Sequence, residues 1–139
     1  MIIRKLTKDD KKLIDDFQIE RGFRPLSNFF YSNECEWVIY AAIDNDKIIS
    51  IAALFPYRRF PSDDYPYGYI AELGSLYTTK EYRNRGIATF LLEEIFKNIN
   101  NDLPLLDAVV VDSTDEAFGI YEKFGFEKST ENRQWKRLK

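Results

Sequence analysis

Hydrophobic residues recur along this chain with two different spacings, and their alternation predicts a mixture of strands and helices. Steps of three and four residues are typical of a helix with one buried face. Short runs rich in β-branched and aromatic residues are typical of strands. The helical spacing occurs in residues 13–19, 86–100 and 117–124, and strand-like runs occur in residues 2–6, 36–44, 47–59, 69–78, 105–111 and 126–138.

Short signals at the ends of these segments support the assignment. Thr7 and Asp10 have the spacing of a capping box ahead of the first helix, with Asp in place of the usual Glu. Residues 44–47, Asp-Asn-Asp-Lys, predict a tight hairpin turn. Gly125 stands where a helix takes a left-handed residue after its last turn, and Phe126 can pack back across that turn.

The predicted order of elements is β-α-(α)-β-β-β-α-β-α-β, where the bracketed element is a short helix that residues 26–31 could form. The nearly continuous apolar run at 105–111 predicts a strand covered on both faces. No internal repeat, linker or low-complexity tract divides the 139 residues, which suit one domain over residues 1–139. We therefore expect a single α/β or α+β domain, in which helices cover the faces of a mixed sheet.

The composition of the chain limits the classes of function that it could have. The chain is 45% hydrophobic and 31% charged, and its 9 Tyr, 11 Phe and 2 Trp are enough for a real core. The net charge is −3 with no basic block, which disfavours nucleic-acid binding. No apolar window approaches the roughly 20 residues of a membrane helix, and the N-terminal residues show no signal-peptide pattern. A single cysteine excludes an intrachain disulfide and fits a cytoplasmic location.

The chain contains no histidine, which restricts its chemistry. Ser-His-Asp and Cys-His catalysis are excluded, and the commonest zinc ligand is missing. Acid–base chemistry must then come from Asp, Glu, Tyr, Lys or the single cysteine, Cys35. Cys35 has no evident basic partner in the sequence, so we interpret it as a structural thiol.

The most informative segment is a predicted strand, turn and helix at residues 76–96. It contains Arg83-Asn-Arg-Gly-Ile-Ala88, an Arg-x-x-Gly-x-Ala pattern at the start of the helix. The first N–H groups of a helix have no partners and carry partial positive charge, so an anion fits there. Gly86 allows close backbone approach, and Arg83 and Arg85 can bind phosphate oxygens. The alternative is a tolerated glycine beside two solvated arginines.

This segment resembles motif A of the GNAT superfamily of acyl-CoA-dependent N-acyltransferases, whose signature is Arg/Gln-x-x-Gly-x-Gly/Ala. A second segment, Ala117-Phe-Gly-Ile-Tyr-Glu-Lys-Phe-Gly-Phe126, is similar to the family's Ala-x-x-Leu-Tyr-x-x-x-Gly-Phe motif. The chain departs from the family at Lys80, Asn84 and Thr114. The resemblance implies a mixed, mostly antiparallel twisted sheet of six to seven strands with about four helices.

The resemblance also implies acetyl-CoA as co-substrate and no metal. Backbone N–H groups from Arg83 to Thr89 would hold the pyrophosphate, and the edge of the preceding strand would pair with the pantetheine arm. One N–H group of that edge would polarise the thioester carbonyl, as in an oxyanion hole. The residues implied to bind the cofactor are Leu76, Tyr77, Thr78, Arg83, Asn84, Arg85, Gly86, Ile87, Ala88, Thr89 and Thr114.

Two residues carry the implied catalytic roles. Tyr121 of the second motif would protonate the departing thiolate; the alternative is a core residue, since it shares an apolar helical face with Ala117 and Phe124. Glu72 would act as the base, because an alkylamine with a pKa of about 10.4 is almost entirely protonated at pH 7. The alternative for Glu72 is a solvated or ion-paired strand residue. Further candidate bases, which we weight less, are Glu36, Asp63 and Asp64.

The sequence therefore predicts an N-acetyltransferase that moves an acetyl group to a primary amine, on a small molecule or a peptide, by direct attack in a ternary complex. The competing hypothesis is a non-catalytic acyl-CoA sensor or an interaction module on the same fold. Aromatic residues at 29–31 and 55–69 would lie near the acceptor; the alternative, which we favour from sequence alone, is a solvated loop with a few packed aromatics. We expect no nucleic-acid or membrane partner, and homodimers are frequent in the family.

Overall fold

The computed structural model describes residues 1–112, 115–128 and 133–138. Its strands are β1 (Ile2–Lys5), β2 (Val38–Asp44), β3 (Lys47–Arg58), β4 (Tyr69–Thr78), β5 (Ala108–Asp112), β6 (Glu127–Lys128) and β7 (Arg133–Arg137). Its α-helices are α1 (Lys11–Glu20), α2 (Ile87–Asp102) and α3 (Asp115–Lys123), and single 3-10 turns cover Lys8–Asp10 and Lys80–Tyr82.

The strands form a seven-stranded sheet in the order β1-β2-β3-β4-β5-β7-β6. The β1–β2, β5–β7 and β6–β7 pairs are antiparallel, and β4–β5 is parallel. The predicted class, a mixed α+β fold with a mostly antiparallel sheet, is confirmed. The described part of the chain has three α-helices rather than about four, because residues 26–31 form turns instead of a helix.

Two compact units contain these elements: Met1–Ala53 with Ser75–Phe96, and Leu54–Gly74 with Lys97–Lys139. In the first unit, the predicted capping box precedes α1. The Thr7 hydroxyl accepts a hydrogen bond from the Asp9 N–H (3.2 Å), and the Asp10 carboxylate accepts one from the Thr7 N–H (2.7 Å). The predicted hairpin turn joins β2 to β3, with positive φ at Asn45 (51°) and Asp46 (59°), as a type I′ turn requires.

Two side chains hold the segment that follows α1, one from α1 and one from the 3-10 turn before it. The Asp15 carboxylate of α1 accepts hydrogen bonds from the Leu26 N–H (3.2 Å) and the Tyr31 hydroxyl (2.6 Å). Burial, together with Asp15, raises the pKa of Tyr31. The Lys8 ammonium donates to the backbone carbonyls of Phe30 and Cys35, and burial lowers its pKa. Within the segment, the N–H groups of Phe30 and Tyr31 donate to carbonyls three positions earlier, as in turns.

In the second unit, a buried carboxylate anchors the loop between β3 and β4. Asp107 is only 1% exposed. Its carboxylate accepts hydrogen bonds from the N–H groups of Tyr67 (3.1 Å) and Tyr69 (3.2 Å), and its own N–H donates to the Tyr69 carbonyl (2.8 Å). Asp107 therefore positions the start of β4 from a point just ahead of β5.

We expect Asp107→Ala to lower the free energy of unfolding by about 2 kcal/mol, because the Tyr67 and Tyr69 N–H groups lose their acceptor. Urea denaturation monitored by fluorescence measures this. Asp63→Ala, which removes an exposed carboxylate from the same loop, is the control and should change stability by less than about 0.5 kcal/mol. Equal denaturation midpoints for the two variants would contradict the anchoring role.

Within the described residues, no helix is both long and apolar enough to cross a membrane.

Candidate functional site

The turn between β4 and α2 contains two residues with left-handed backbone. Asn84 has φ +63° and Gly86 has φ +77°. A Cβ added at Gly86 would meet nothing within 4 Å, so the glycine is required here by its φ rather than by lack of space. The turn is exposed from Arg83 to Gly86, and α2 begins directly after it at Ile87.

This turn leaves a run of backbone donors without acceptors. The first intrahelical bond of α2 runs from the Phe90 N–H to the Gly86 carbonyl (3.0 Å). The N–H groups of Asn84, Arg85, Gly86, Ile87, Ala88 and Thr89 donate to no other described residue. Six consecutive free N–H groups at the positive end of a 16-residue helix form a concentrated site for an anion.

Two arginines stand beside these donors. Arg83 donates from Nε to the Thr78 carbonyl (2.9 Å), and its Cζ lies 5.6 Å from the centroid of the Tyr77 ring. Arg85 lies over the Tyr82 ring at 5.2 Å, and the Tyr82 hydroxyl in turn donates to Asp44 (2.6 Å). Neither guanidinium pairs with a carboxylate in the described part of the chain. Both positive charges are therefore uncompensated next to the free N–H groups.

The predicted cofactor edge lies on the last residues of β4. The parallel β4–β5 ladder ends at the pair Glu72–Val110, whereas β4 continues to Thr78. Residues 73–78 of β4 thus lie beyond the last pair of that ladder.

The hydrogen bonds between β3 and the end of β4 show which N–H groups of β4 face away from β3. The Thr79 N–H donates to the Ile49 carbonyl of β3 (2.8 Å), and the Tyr77 carbonyl accepts from the Ser50 hydroxyl of β3 (2.9 Å). The Thr78 carbonyl instead accepts from Arg83. Because successive peptide groups of a strand point to opposite edges, the N–H groups of Leu76 and Thr78 point away from β3. Of the three predicted edge residues, Tyr77 is the one whose backbone faces β3.

The end of α3 positions Tyr121. The N–H groups of Gly125 and Phe126 donate to the carbonyls of Glu122 (3.0 Å) and Tyr121 (3.2 Å), and Gly125 has φ +87°. This is a Schellman motif, and the ring of Phe126 packs on that of Tyr121 with 5.6 Å between centroids. The predicted helix end and the packing of Phe126 are both confirmed.

The Tyr121 side chain is buried, with 6% of its surface exposed. The Tyr121 hydroxyl bonds to no described residue. Every fully buried side-chain oxygen among the described residues has a hydrogen-bond partner, so the Tyr121 oxygen is not fully buried and still reaches solvent. Burial raises the pKa of the Tyr121 phenol, which therefore keeps its proton at neutral pH. The hydroxyl is a free proton donor.

Glu72 lies on β4 in the same compact unit as Tyr121, and its side chain is half-buried. Its carboxylate forms no hydrogen bond or ion pair with the residues that the structure describes. Leu76, Tyr77, Thr78 and residues 83–89 belong to the other unit. Thr114, the remaining predicted cofactor contact, lies outside the described residues.

Sequence reasoning missed Arg21, the residue that follows α1. Its guanidinium stacks on the ring of Tyr77 in β4 at 4.0 Å. Its place just before the helix-ending Gly22 was visible in the sequence, but its contact with β4, 56 positions further on, was not.

The chain is similar to known acetyltransferases. A family model described as "Acetyltransferase (GNAT) domain" matches residues 24–138. No curated protein matches the chain in sequence.

Solved structures share the fold. One is a predicted acetyltransferase with acetyl-CoA from Clostridium acetobutylicum, with 22% identity over 99% of this chain and 95% of that chain and a TM-score of 0.70. A second is a GNAT-family acetyltransferase from Streptococcus pneumoniae, with 17% identity, 99% of both chains covered and a TM-score of 0.73. A third is Arabidopsis thaliana NAA60 in complex with acetyl-CoA, with 16% identity, 99% of both chains covered and a TM-score of 0.71.

At these identities the solved structures show a shared fold, whereas the family model matches most of the sequence. Its match includes both motifs, the one around Gly86 and the one around Tyr121. The chain therefore belongs to the GNAT acetyltransferase family.

Proposed function

We propose that this protein is a cytoplasmic N-acetyltransferase, one domain over residues 1–139, that moves an acetyl group from acetyl-CoA to a primary amine while both substrates are bound. The observation that carries the proposal is the run of six N–H groups at residues 84–89 that donate to no described residue, flanked by Arg83 and Arg85, which form no ion pair with the described residues. A diphosphate needs such donors and charges. The acetyl-CoA bound to two structural neighbours supports the identity of the ligand.

The donors and charges described above suit the polar parts of acetyl-CoA. The N–H groups of residues 84–89 would bind the pyrophosphate, with Arg83 and Arg85 supplying charge-assisted hydrogen bonds. The N–H groups of Leu76 and Thr78 would pair with the pantetheine arm, and one of them would donate to the thioester carbonyl oxygen. Acetyl-CoA supplies the acyl group and a thiolate leaving group.

The remaining steps move protons. Glu72 would accept a proton from the incoming ammonium, directly or through water, because the neutral amine is the nucleophile. Tyr121 would donate its phenolic proton to the departing sulfur, and its raised pKa keeps that proton available at neutral pH. Neither the Glu72 carboxylate nor the Tyr121 hydroxyl forms a hydrogen bond with another described residue, so both groups are available for these roles.

Two measurements test the proposal. Calorimetric titration with acetyl-CoA should show binding at micromolar protein, and a thiol-detection assay should show CoA release with at least one member of a panel of amines. The panel would contain polyamines, amino acids, aminoglycosides and peptides with free N-termini. Binding without CoA release from any amine would favour the acyl-CoA sensor, and no binding would overturn the assignment.

We expect Glu72→Gln to lower kcat/KM at pH 7 by about 100-fold, within the usual range for a general base. The deficit should shrink as the pH rises towards about 10, because the amine then loses its proton without help. Measuring kcat/KM of both enzymes from pH 6.5 to 9.5 checks this. A deficit of constant size across this range would contradict the base role, and Glu127→Gln, an exposed carboxylate of the same unit, is the control.

A further inference from the structure

Arg21 packs against three aromatic rings, and one of them, Tyr77, belongs to β4, the strand predicted to bind the cofactor. The Arg21 Cζ is 4.0 Å from the centroid of Tyr77, 5.1 Å from that of Phe17 and 5.2 Å from that of Phe23. The residue is half-buried. Such stacking satisfies the face of a guanidinium but leaves its N–H groups, which lie in the plane, free to bind something else.

No carboxylate in the described part of the chain compensates the charge of Arg21. The acidic side chains of α1 that could have done so are each paired with a lysine at 2.6–2.8 Å: Asp15 with Lys11, Asp16 with Lys12, and Glu20 with Lys47. Arg21 itself forms no ion pair or side-chain hydrogen bond within the described residues. Its five N–H donors are therefore available.

A second guanidinium approaches the same ring. Arg83 lies 5.6 Å from the centroid of Tyr77 and uses Nε on the Thr78 carbonyl, which leaves its terminal nitrogens free. Both guanidinium groups thus lie near the ring of Tyr77, and each has free N–H groups. An oxyanion bound beside this ring could accept charge-assisted hydrogen bonds from them.

We propose that Arg21, Tyr77 and Arg83 form a subsite that binds an oxyanion group of a bound substrate, and this inference rests on the proposed function. The chemistry is that of a phosphate or carboxylate, whose paired oxygens match the planar fork of a guanidinium. Two molecules could supply it: the cofactor through its 3′-phosphate, which is distinct from the pyrophosphate assigned to residues 84–89, or the acceptor through a carboxylate. The subsite adjoins Leu76 and Thr78, whose N–H groups point away from β3.

The end of α1 fixes the backbone at Arg21. The N–H groups of Gly22 and Phe23 donate to the carbonyls of Ile19 (3.0 Å) and Gln18 (2.9 Å), which closes the helix. The helix carbonyls nearest to Arg21 are thus already occupied by backbone donors. The guanidinium itself packs on three rings, and a side chain that is already packed loses less freedom when it binds an anion.

The test uses Arg21→Met, which removes the charge and donors but keeps a straight side chain that can lie on the rings. Arg21→Lys keeps the charge without the planar fork. The matched control is Arg24→Met, which alters an exposed arginine three positions further on that forms no hydrogen bond, ion pair or ring contact with another described residue. Thermal melting of all three establishes that they fold.

Each variant is compared on two pairs of ligands. Calorimetry measures Kd for CoA and for 3′-dephospho-CoA. Steady-state kinetics measures KM for an accepted amine that carries a carboxylate and for its primary amide. If the amine panel contains no accepted carboxylate, the calorimetric pair decides alone.

We expect Arg21→Met to weaken binding of the anion-bearing member of one pair by about tenfold or more, and of the member without the anion by less than about twofold. Arg21→Lys should fall between, and Arg24→Met should match the wild type. Selectivity in the CoA pair assigns the subsite to the cofactor phosphate, and selectivity in the amine pair assigns it to the acceptor.

An equal loss for both members of each pair, with a lower melting temperature, would reduce Arg21 to a packing residue and overturn the subsite. Unchanged constants would overturn it as well. Failure of the wild-type protein to bind CoA and to release it with any amine is a separate result, since it overturns the proposed function and removes the basis of the subsite.

Discussion

Tyr121→Phe should lower kcat by about 100-fold or more while leaving acetyl-CoA affinity unchanged, as expected for loss of a general acid. The thiolate would then leave without a proton from the protein. The substitution removes only the hydroxyl, which bonds to no described residue, so the ring keeps its packing on Phe126. Steady-state kinetics for kcat and calorimetry for acetyl-CoA measure the two effects separately.

The pH profile sharpens this prediction. Burial raises the pKa of Tyr121 above its ordinary value near 10, so the phenol stays protonated below that pH. The wild-type enzyme should therefore show no alkaline loss of kcat from Tyr121 between pH 6 and 9. If Tyr121→Phe has the same kcat as the wild type, Tyr121 has a packing role alone.

Gly86→Asp should weaken acetyl-CoA binding by about 100-fold, because it places a negative charge within the donors that would hold a diphosphate. Unit charges about 5 Å apart interact by about 3 kcal/mol at an effective dielectric constant of about 20. Asp tolerates the left-handed backbone better than most residues, and a Cβ at this position meets nothing within 4 Å. The fold should therefore survive the substitution.

Gly86→Asn is the matched control, since it has the same size and backbone tolerance without the charge. Both variants should melt at similar temperatures, and calorimetry with acetyl-CoA should separate them by at least about tenfold. Similar affinities for Asp and Asn variants would mean that no anion of the ligand approaches this turn. That result would count against the placement of the pyrophosphate and leave the fold assignment intact.

Local signals predicted the elements well wherever one short segment contains all the interacting groups. Thr7 and Asp10 cap each other, the Asn45–Asp46 turn closes its hairpin, and Gly125 ends α3. In each case the decisive hydrogen bonds join residues only a few positions apart, so the order of residue types is sufficient to predict them.

Prediction was wrong where contacts between distant residues matter. Residues 26–31 form turns rather than a helix, and the Leu26 N–H and the Tyr31 hydroxyl bond to Asp15 of α1, 11 and 16 positions earlier. Ile19 belongs to the apolar pattern of α1 but is 53% exposed, whereas Ile14 and Phe17 are buried. Periodicity cannot predict which end of a helix has a neighbour to pack against.

The candidate site also has one part that the local sequence predicts and another that depends on tertiary contacts. The residue order around Gly86 was enough to predict an anion-binding turn, because a left-handed turn at a helix start is a local event governed by a few dihedral angles. It could not show that Leu76 and Thr78, rather than Tyr77, turn their N–H groups away from β3, since the register with β3 decides this. Nor could it place Arg21 on Tyr77, because a contact between residues far apart in the chain exists only once helix and sheet have packed together.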